Sequence, residues 1–228
     1  MLDKSLPYFD IIMKMRGELL AKLPEPVLPE GYSFRFYRPG DELHWARLET
    51  LVQEFPSEER ALEYYRCRYM AKDADRLPER CVFVVDPNDI PVATTTAWFS
   101  ESSMGHGNWL QWIATDPAHQ GKGLGRAVIA RALRRYTELG AVGNVYLHTQ
   151  TWSHKAIYLY NRFGFQFFNI DHVTIPFAAE PFYRIMKNAP EEALQTLESV
   201  YTPEFLRSLR DGMESPESFE LSDGTPWL

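Results

Sequence analysis

Near the middle of the chain runs Ile113-Ala114-Thr115-Asp116-Pro117-Ala118-His119-Gln120-Gly121-Lys122-Gly123-Leu124-Gly125-Arg126. The apolar run before Asp116 predicts a strand, and the periodicity after Gly123 predicts a helix over residues 123–139, with Gly140 just past its end. The first amides of a helix have no partner within it, and its dipole adds partial positive charge there. Glycine lets the backbone approach a ligand with no Cβ in the way. The combination suits an anion, above all a phosphate or pyrophosphate. A P-loop would need Ser or Thr directly after Gly-Lys, and Lys122 is followed by Gly123. A dinucleotide fingerprint spaces its glycines G-x-G-x-x-G, whereas here they run G-x-G-x-G. His119 reads as solvated and Lys122 as a screened surface charge.

The elements that would position this loop can be read on either side. Leu2, Leu6, Phe9 and Met13 recur at helical spacing, so residues 3–22 are expected to form an amphipathic helix, followed by a proline-rich linker at 24–29. Residues 32–38 alternate as a first strand, and Asp41 is placed to cap a helix carrying Leu43, Trp45, Ala46 and Leu48. Ser57 opens a second helix reaching about residue 72. Residues 81–85 and 91–98, joined by Asp86-Pro87-Asn88-Asp89, make a hairpin. A polar loop at 100–107 leads to the strand 108–115. Downstream come a strand at 144–149, a helix at 153–163 ending at Gly164, and strands at 165–170 and 181–187. Pro190 and Pro203 each suit a first helical position, with Thr202 as an N-cap, and residues 212–228 read as an acidic, loosely held tail.

Composition narrows the class. At 228 residues, 45% hydrophobic and 24% charged, the chain can bury a core without a disulfide framework, and Cys67 and Cys81 are too few to make one. A net charge of −7 argues against nucleic-acid binding, because phosphate contacts need a basic face. No apolar run approaches the ~18 residues of a membrane span. The expectation is a soluble, cytoplasmic protein. Six histidines without a paired ligand spacing give no metal site.

Gln120-x-x-Gly123-x-Gly125 resembles the phosphate-binding signature of the GNAT superfamily of acyl-CoA-dependent N-acetyltransferases. Asp116-Pro117 after a strand, Ala156-Ile157-x-Leu159-Tyr160 followed by Gly164-Phe165, and the hairpin around residues 83–92 also resemble that family, over residues 32–187. The resemblance implies an α/β (α+β) fold: a mixed, mostly antiparallel central sheet flanked by helices, with two strands splayed into a CoA cleft. It divides the chain into an N-terminal helix and linker (1–30), the acyltransferase domain (31–187) and a C-terminal helical extension and tail (188–228).

It further implies acetyl-CoA as co-substrate and direct attack by a primary amine in a ternary complex. The amides around Gln120, Gly121, Gly123, Gly125 and Arg126 would hold the pyrophosphate, and the backbone of Ile113 and Thr115 would pair with the pantetheine arm. Ser153 stands where the family often has asparagine, with a shorter reach to the cofactor. Tyr160 would protonate the leaving thiolate. For the general base, Glu101, His106 and His148 are open candidates. The acceptor is an amine of unknown identity, small and cationic by the acidic charge of the chain, with Phe55, Tyr64, Tyr65 and Trp98 as aromatic residues that could enclose it. Alternatives are an acceptor at a protein N-terminus, or an acyl-CoA-binding module without turnover. A third reading gives the terminal extensions a homodimer contact.

Overall fold

The computed structural model describes residues 2–176 and 183–217. Nine strands are present among them: β1 (Asp10–Met15), β2 (Ser33–Phe36), β3 (Cys81–Val85), β4 (Pro91–Ser102), β5 (Gly105–Thr115), β6 (Val145–Gln150), β7 (Gln166–Phe167), β8 (His172–Pro176) and β9 (Tyr183–Lys187). Seven belong to one sheet in the order β2-β3-β4-β5-β6-β1-β7, and β8 and β9 form a separate antiparallel pair. β1 pairs antiparallel with β6 and β7, and β3 with β2 and β4, whereas β5 and β6 run parallel, Asn108 opposing Val145 and Trp109 opposing Tyr146. The mixed, mostly antiparallel sheet flanked by helices is therefore as expected. By contacts the chain forms two compact units, one comprising residues 20–98 and 110–142, the other 2–19, 99–109 and 143–228.

In the first unit the hairpin expected at residues 81–98 is present as the antiparallel pair β3 and β4. Cys81–Val85 is buried on both faces, so it reads as an unbroken apolar run. Its core gathers Tyr37, Trp45, Leu48, Tyr65, Tyr69, Phe83 and Trp98. The helix Asp41–Leu51 begins after Gly40, and Asp41 is its first residue rather than its cap. The Asp41 carboxylate instead accepts bonds from the Arg38 amide and from both terminal nitrogens of Arg35, which needs the side chain turned back toward β2. Ser57 caps the helix Glu58–Tyr65 as expected, accepting from the Arg60 amide. Cys67 is exposed and Cys81 buried, and both thiols are free.

The second unit corrects the N-terminal reading. Residues 3–22 are not a helix: Asp10–Met15 is a strand paired with β6 on one side and β7 on the other. Ile11, Ile12, Met13 and Met15 are all fully buried, so both faces of β1 are covered, and the helical spacing of Leu2, Leu6, Phe9 and Met13 did not signify a helix. Pro7 also stands where a continuous helix would need an amide donor. Residues 17–22 form a 3-10 turn. Other boundaries shift as well. The loop expected at 100–107 is mostly strand, since β4 runs to Ser102 and β5 starts at Gly105. The strand expected at 165–170 is a strand only over Gln166–Phe167, followed by an isolated bridge from Phe168 to Glu214. Pro190 and Pro203 open their helices, and Thr202 caps the second by accepting from the Phe205 amide. Of the final strand expected at 181–187, residues 181–182 lie outside the described residues, as do 218–228 of the tail. The start of that tail is tied down rather than loose. The Glu214 amide donates to Phe167, its carbonyl accepts from Asn169, and its carboxylate lies 3.3 Å from the buried Lys14 ammonium.

One residue in the first unit breaks the usual rule of burial. Glu49 is 1% exposed, and neither carboxylate oxygen has a hydrogen-bond partner. Burial, and then the nearby Glu54, hold its carboxyl well above the usual range. A raised folded-state value means the folded chain binds that proton more tightly than the unfolded one, so stability is lost as pH rises above the ordinary glutamate range. Glu49→Gln removes the charge at all pH values. Thermal melts across pH should show the two proteins nearly equal in mild acid, with the variant ahead by about 1–3 kcal/mol once the pH is high enough to force the charge. A gap that shrinks as pH rises would contradict this account.

Candidate active site

The expected phosphate loop is present in the first unit and is open. Gly121 and Gly123 have φ of 78° and 81°, the left-handed region where glycine carries no penalty. A Cβ added at either would meet nothing within 4 Å, so space lies over both residues. Gly123 is the N-cap of the helix Leu124–Glu138, and no side chain caps that end. Gly125 and Arg126 lie in its first turn. The loop therefore presents unpartnered helical amides and positive dipole to one open side.

Three side-chain contacts fix its shape. The Gln120 amide nitrogen donates to the Thr115 carbonyl at 3.0 Å, closing the loop onto the end of β5. The Gln120 side chain is thus spent on the loop itself. Asp116 accepts from the Ala118 amide and from Arg47, both at 2.9 Å. Burial opposes its ionisation, but the Arg47 bond and the Ala118 amide outweigh it and lower its pKa. The Tyr32 hydroxyl lies 2.9 Å from His119 Nδ1 and accepts from Lys122 Nζ, also at 2.9 Å. His119 and Lys122 are therefore tethered to one another through Tyr32 rather than merely solvated.

Ile113 and Thr115 are half-buried on β5, with Ala114 between them buried. Just before them Trp112 has φ of 54°, rare for so bulky a residue and costly in backbone strain. The residues Gln111, Trp112 and Ile113 are all half-buried in succession, so the alternation of the strand is interrupted there. The carbonyl of Gln111 accepts from the Thr95 hydroxyl, and its side chain accepts from Tyr69. Nothing in the sequence signals this kink, because no glycine or proline marks it.

The remaining candidates belong to the second unit. Ser153 is the N-cap of the helix His154–Arg162 and makes no side-chain cap bond. Tyr160, 5% exposed on that helix, packs edge-on against Phe165 with ring centroids 6.2 Å apart. His148 lies on β6 with Nε2 3.0 Å from Asp10 Oδ1, and the Tyr8 hydroxyl donates to the same oxygen at 2.8 Å. The register places Ile12 opposite His148, so Asp10 reaches it diagonally from β1. Neither Asp10 nor Tyr8 was foreseeable while residues 3–22 read as a helix. Glu101 and His106 are brought together instead at the β4–β5 hairpin end, 2.7 Å apart and more than half exposed.

Of the aromatic residues expected around an acceptor, Tyr65 and Trp98 are core, whereas Phe55 and Tyr64 are half-buried. They are joined by Trp45 and Trp112, and the four rings lie within 5.1–6.4 Å of one another. Among the described residues, no helix is long and apolar enough to cross a membrane.

Comparison with known proteins agrees with these features. The acetyltransferase (GNAT) family profile matches residues 42–165, which include the kinked strand, the glycine loop and Tyr160. The mycothiol acetyltransferase of Acidothermus cellulolyticus is 30% identical over 173 residues, covering 71% of this chain and 53% of that protein. The spermine/spermidine N(1)-acetyltransferase of Bacillus subtilis is 39% identical over 59 residues, 26% of this chain and 39% of that one. The chain spans about half the length of the mycothiol acetyltransferases it matches. In structure it is similar to a GCN5-related N-acetyltransferase from Sphaerobacter thermophilus, with a TM-score of 0.56 and 23% identity over 75% of this chain and 50% of that one. From the loop, the strand and the profile together, the chain belongs to the acetyltransferase (GNAT) family.

Proposed function

We propose that the protein is an acyl-CoA-dependent N-acetyltransferase that moves the acetyl group of acetyl-CoA to a primary amine of a small molecule. The observation that carries this reading is the glycine loop: two left-handed glycines under open space, ahead of an uncapped 15-residue helix. Such a cradle fits a pyrophosphate, with the amides of Gly121, Gly123, Gly125 and Arg126 as donors. The arm of the cofactor would lie along the backbone of Ile113 and Thr115 as an added strand. The relative named for spermine and spermidine supports a small amine over a protein N-terminus.

Bound acetyl-CoA supplies an activated thioester, whose C–S bond breaks as the acceptor nitrogen forms its C–N bond. The left-handed backbone at Trp112 is the irregularity in β5 beside which the thioester would lie. Tyr160 gives its proton to the departing thiolate sulfur. The proton lost by the amine goes to His148, whose Nε2 lies 3.0 Å from the Asp10 carboxylate. Glu101 and His106 satisfy each other in an exposed pair and are not needed for this path.

Calorimetric titration with acetyl-CoA should show one saturable site. At ~100 times the dissociation constant the protein should gain roughly 2.7 kcal/mol, or about 5–10 °C in melting temperature. Gly123→Val puts a branched side chain at φ 81° into the open space and should abolish the gain. Absence of binding to both acetyl-CoA and CoA would end this reading.

Turnover is tested separately. Tyr160→Phe and His148→Ala should each lower kcat by about 10²-fold or more while leaving acetyl-CoA affinity within a few fold. Asp10→Asn should cost less than loss of the imidazole. Full activity in Tyr160→Phe would remove the tyrosine from the mechanism.

A further inference from the structure

Among the described residues only three non-glycine positions have a left-handed backbone: Gln53, Asp89 and Trp112. Asp89 lies in the β3–β4 turn. The other two shape a single surface of the first unit. At Gln53, φ 71°, the chain folds back over the end of the helix Asp41–Leu51, with the Glu54 amide donating to the Glu49 carbonyl at 3.0 Å. This lays Phe55 against Trp45, with ring centroids 5.8 Å apart. The strained Trp112 comes in from β5, its ring 5.2 Å from Phe55 and 5.1 Å from Tyr64. Phe55, Tyr64 and Trp112 are half-buried, so the patch keeps a face toward solvent.

Glu49 follows Trp45 by one helical turn, on the same face of the helix Asp41–Leu51. Both its oxygens are unpartnered at 1% exposure, while Glu54 adds a second negative group close enough to oppose its ionisation. A buried carboxyl of this kind lacks a cation, and supplying one from outside would convert a cost into an attraction. Aromatic faces attract ammonium groups for the same electrostatic reason. Trp112 immediately precedes Ile113, the strand segment assigned above to the cofactor arm, so the patch adjoins the acyl end of the site.

We propose that Glu49, Glu54 and the rings of Trp45, Phe55, Tyr64 and Trp112 form the acceptor site, and that it takes an alkyl diamine or longer polyamine. This rests on the N-acetyltransferase reading. One nitrogen of the acceptor must be neutral to attack, and a second, still protonated, is what the carboxyl and the rings hold. A monoamine offers no such anchor. The chain thereby selects its acceptor by the charge at the far end of the molecule rather than at the reacting nitrogen.

The probe is 1,4-diaminobutane, the comparison 1-aminobutane, and the proteins are the full chain, Glu49→Gln and Phe55→Ala. Calorimetry without acetyl-CoA should show saturable binding of the diamine to the full chain, weakened at least tenfold in both variants. At saturating acetyl-CoA, Glu49→Gln should raise KM for the diamine at least tenfold with kcat within twofold, and change KM for 1-aminobutane less than twofold. Phe55→Ala, altering only the exposed wall, serves should Glu49→Gln fail to fold. Diamine binding unchanged in both variants, or none in a protein that binds acetyl-CoA, overturns the site and leaves the acetyltransferase reading intact. Diamine binding without acetyl-CoA binding does the reverse: the cation site stands and the transfer reading falls.

Discussion

Asp116 sits where β5 has to stop and the glycine loop has to begin, and its carboxylate makes both possible. One oxygen accepts from the Ala118 amide, turning the chain, while the other holds Arg47 on the helix Asp41–Leu51. Arg47 in turn donates to the Pro91 carbonyl at the start of β4, and the Asp116 amide donates to Val92. Loop, hairpin and helix thus share one largely buried ionic node. The same helix carries Trp45 and Glu49 on a neighbouring face. The position of the glycine loop and the position of the aromatic patch are therefore both referred to the helix Asp41–Leu51.

Around that node the backbone is asked to do unusual things, and the sequence meets the demand in two ways. Where space for a ligand is required, glycine takes the left-handed conformation without penalty, as at Gly121 and Gly123. Where a large side chain must be aimed, a residue with a Cβ accepts the strain, as at Trp112 and Gln53. Packing compensates for the second choice, since Trp112 gains contacts with three rings. Glu49 is a third kind of cost, electrostatic rather than conformational, and it lies in the same small region.

Much of this was legible beforehand. The glycine loop was readable because backbone freedom is written in residue type, and the Cys81–Val85 hairpin because a buried strand has a run of apolar residues ended by turn formers. The place of Tyr160 on a helix was readable through a pattern of neighbours. The kink at Trp112 was not, because strain supported by tertiary packing leaves no local mark. Nor was β1: its apolar run is short, and helix and strand are separated there only by partners far along the chain. That misreading also hid Asp10 as the companion of His148. Glu49 looked like any glutamate on a helix, since burial of a charged residue cannot be seen from spacing alone.

The placement of β1 has a consequence for how the protein is made. Residues 10–15 lie between β6 and β7, whose residues come about 130 to 155 positions later in the chain. During synthesis this strand must wait, unpaired and largely apolar, until residues 145–167 have emerged. Local contacts cannot shelter it, so its exposure is longest among the strands of the large sheet and its closure entropy the largest. The waiting strand is short and includes Lys14, whose charge keeps it from pairing freely with other chains until Glu214 arrives to neutralise it. A lysine that looks misplaced in a finished core is, on this view, a gatekeeper for the unfinished one.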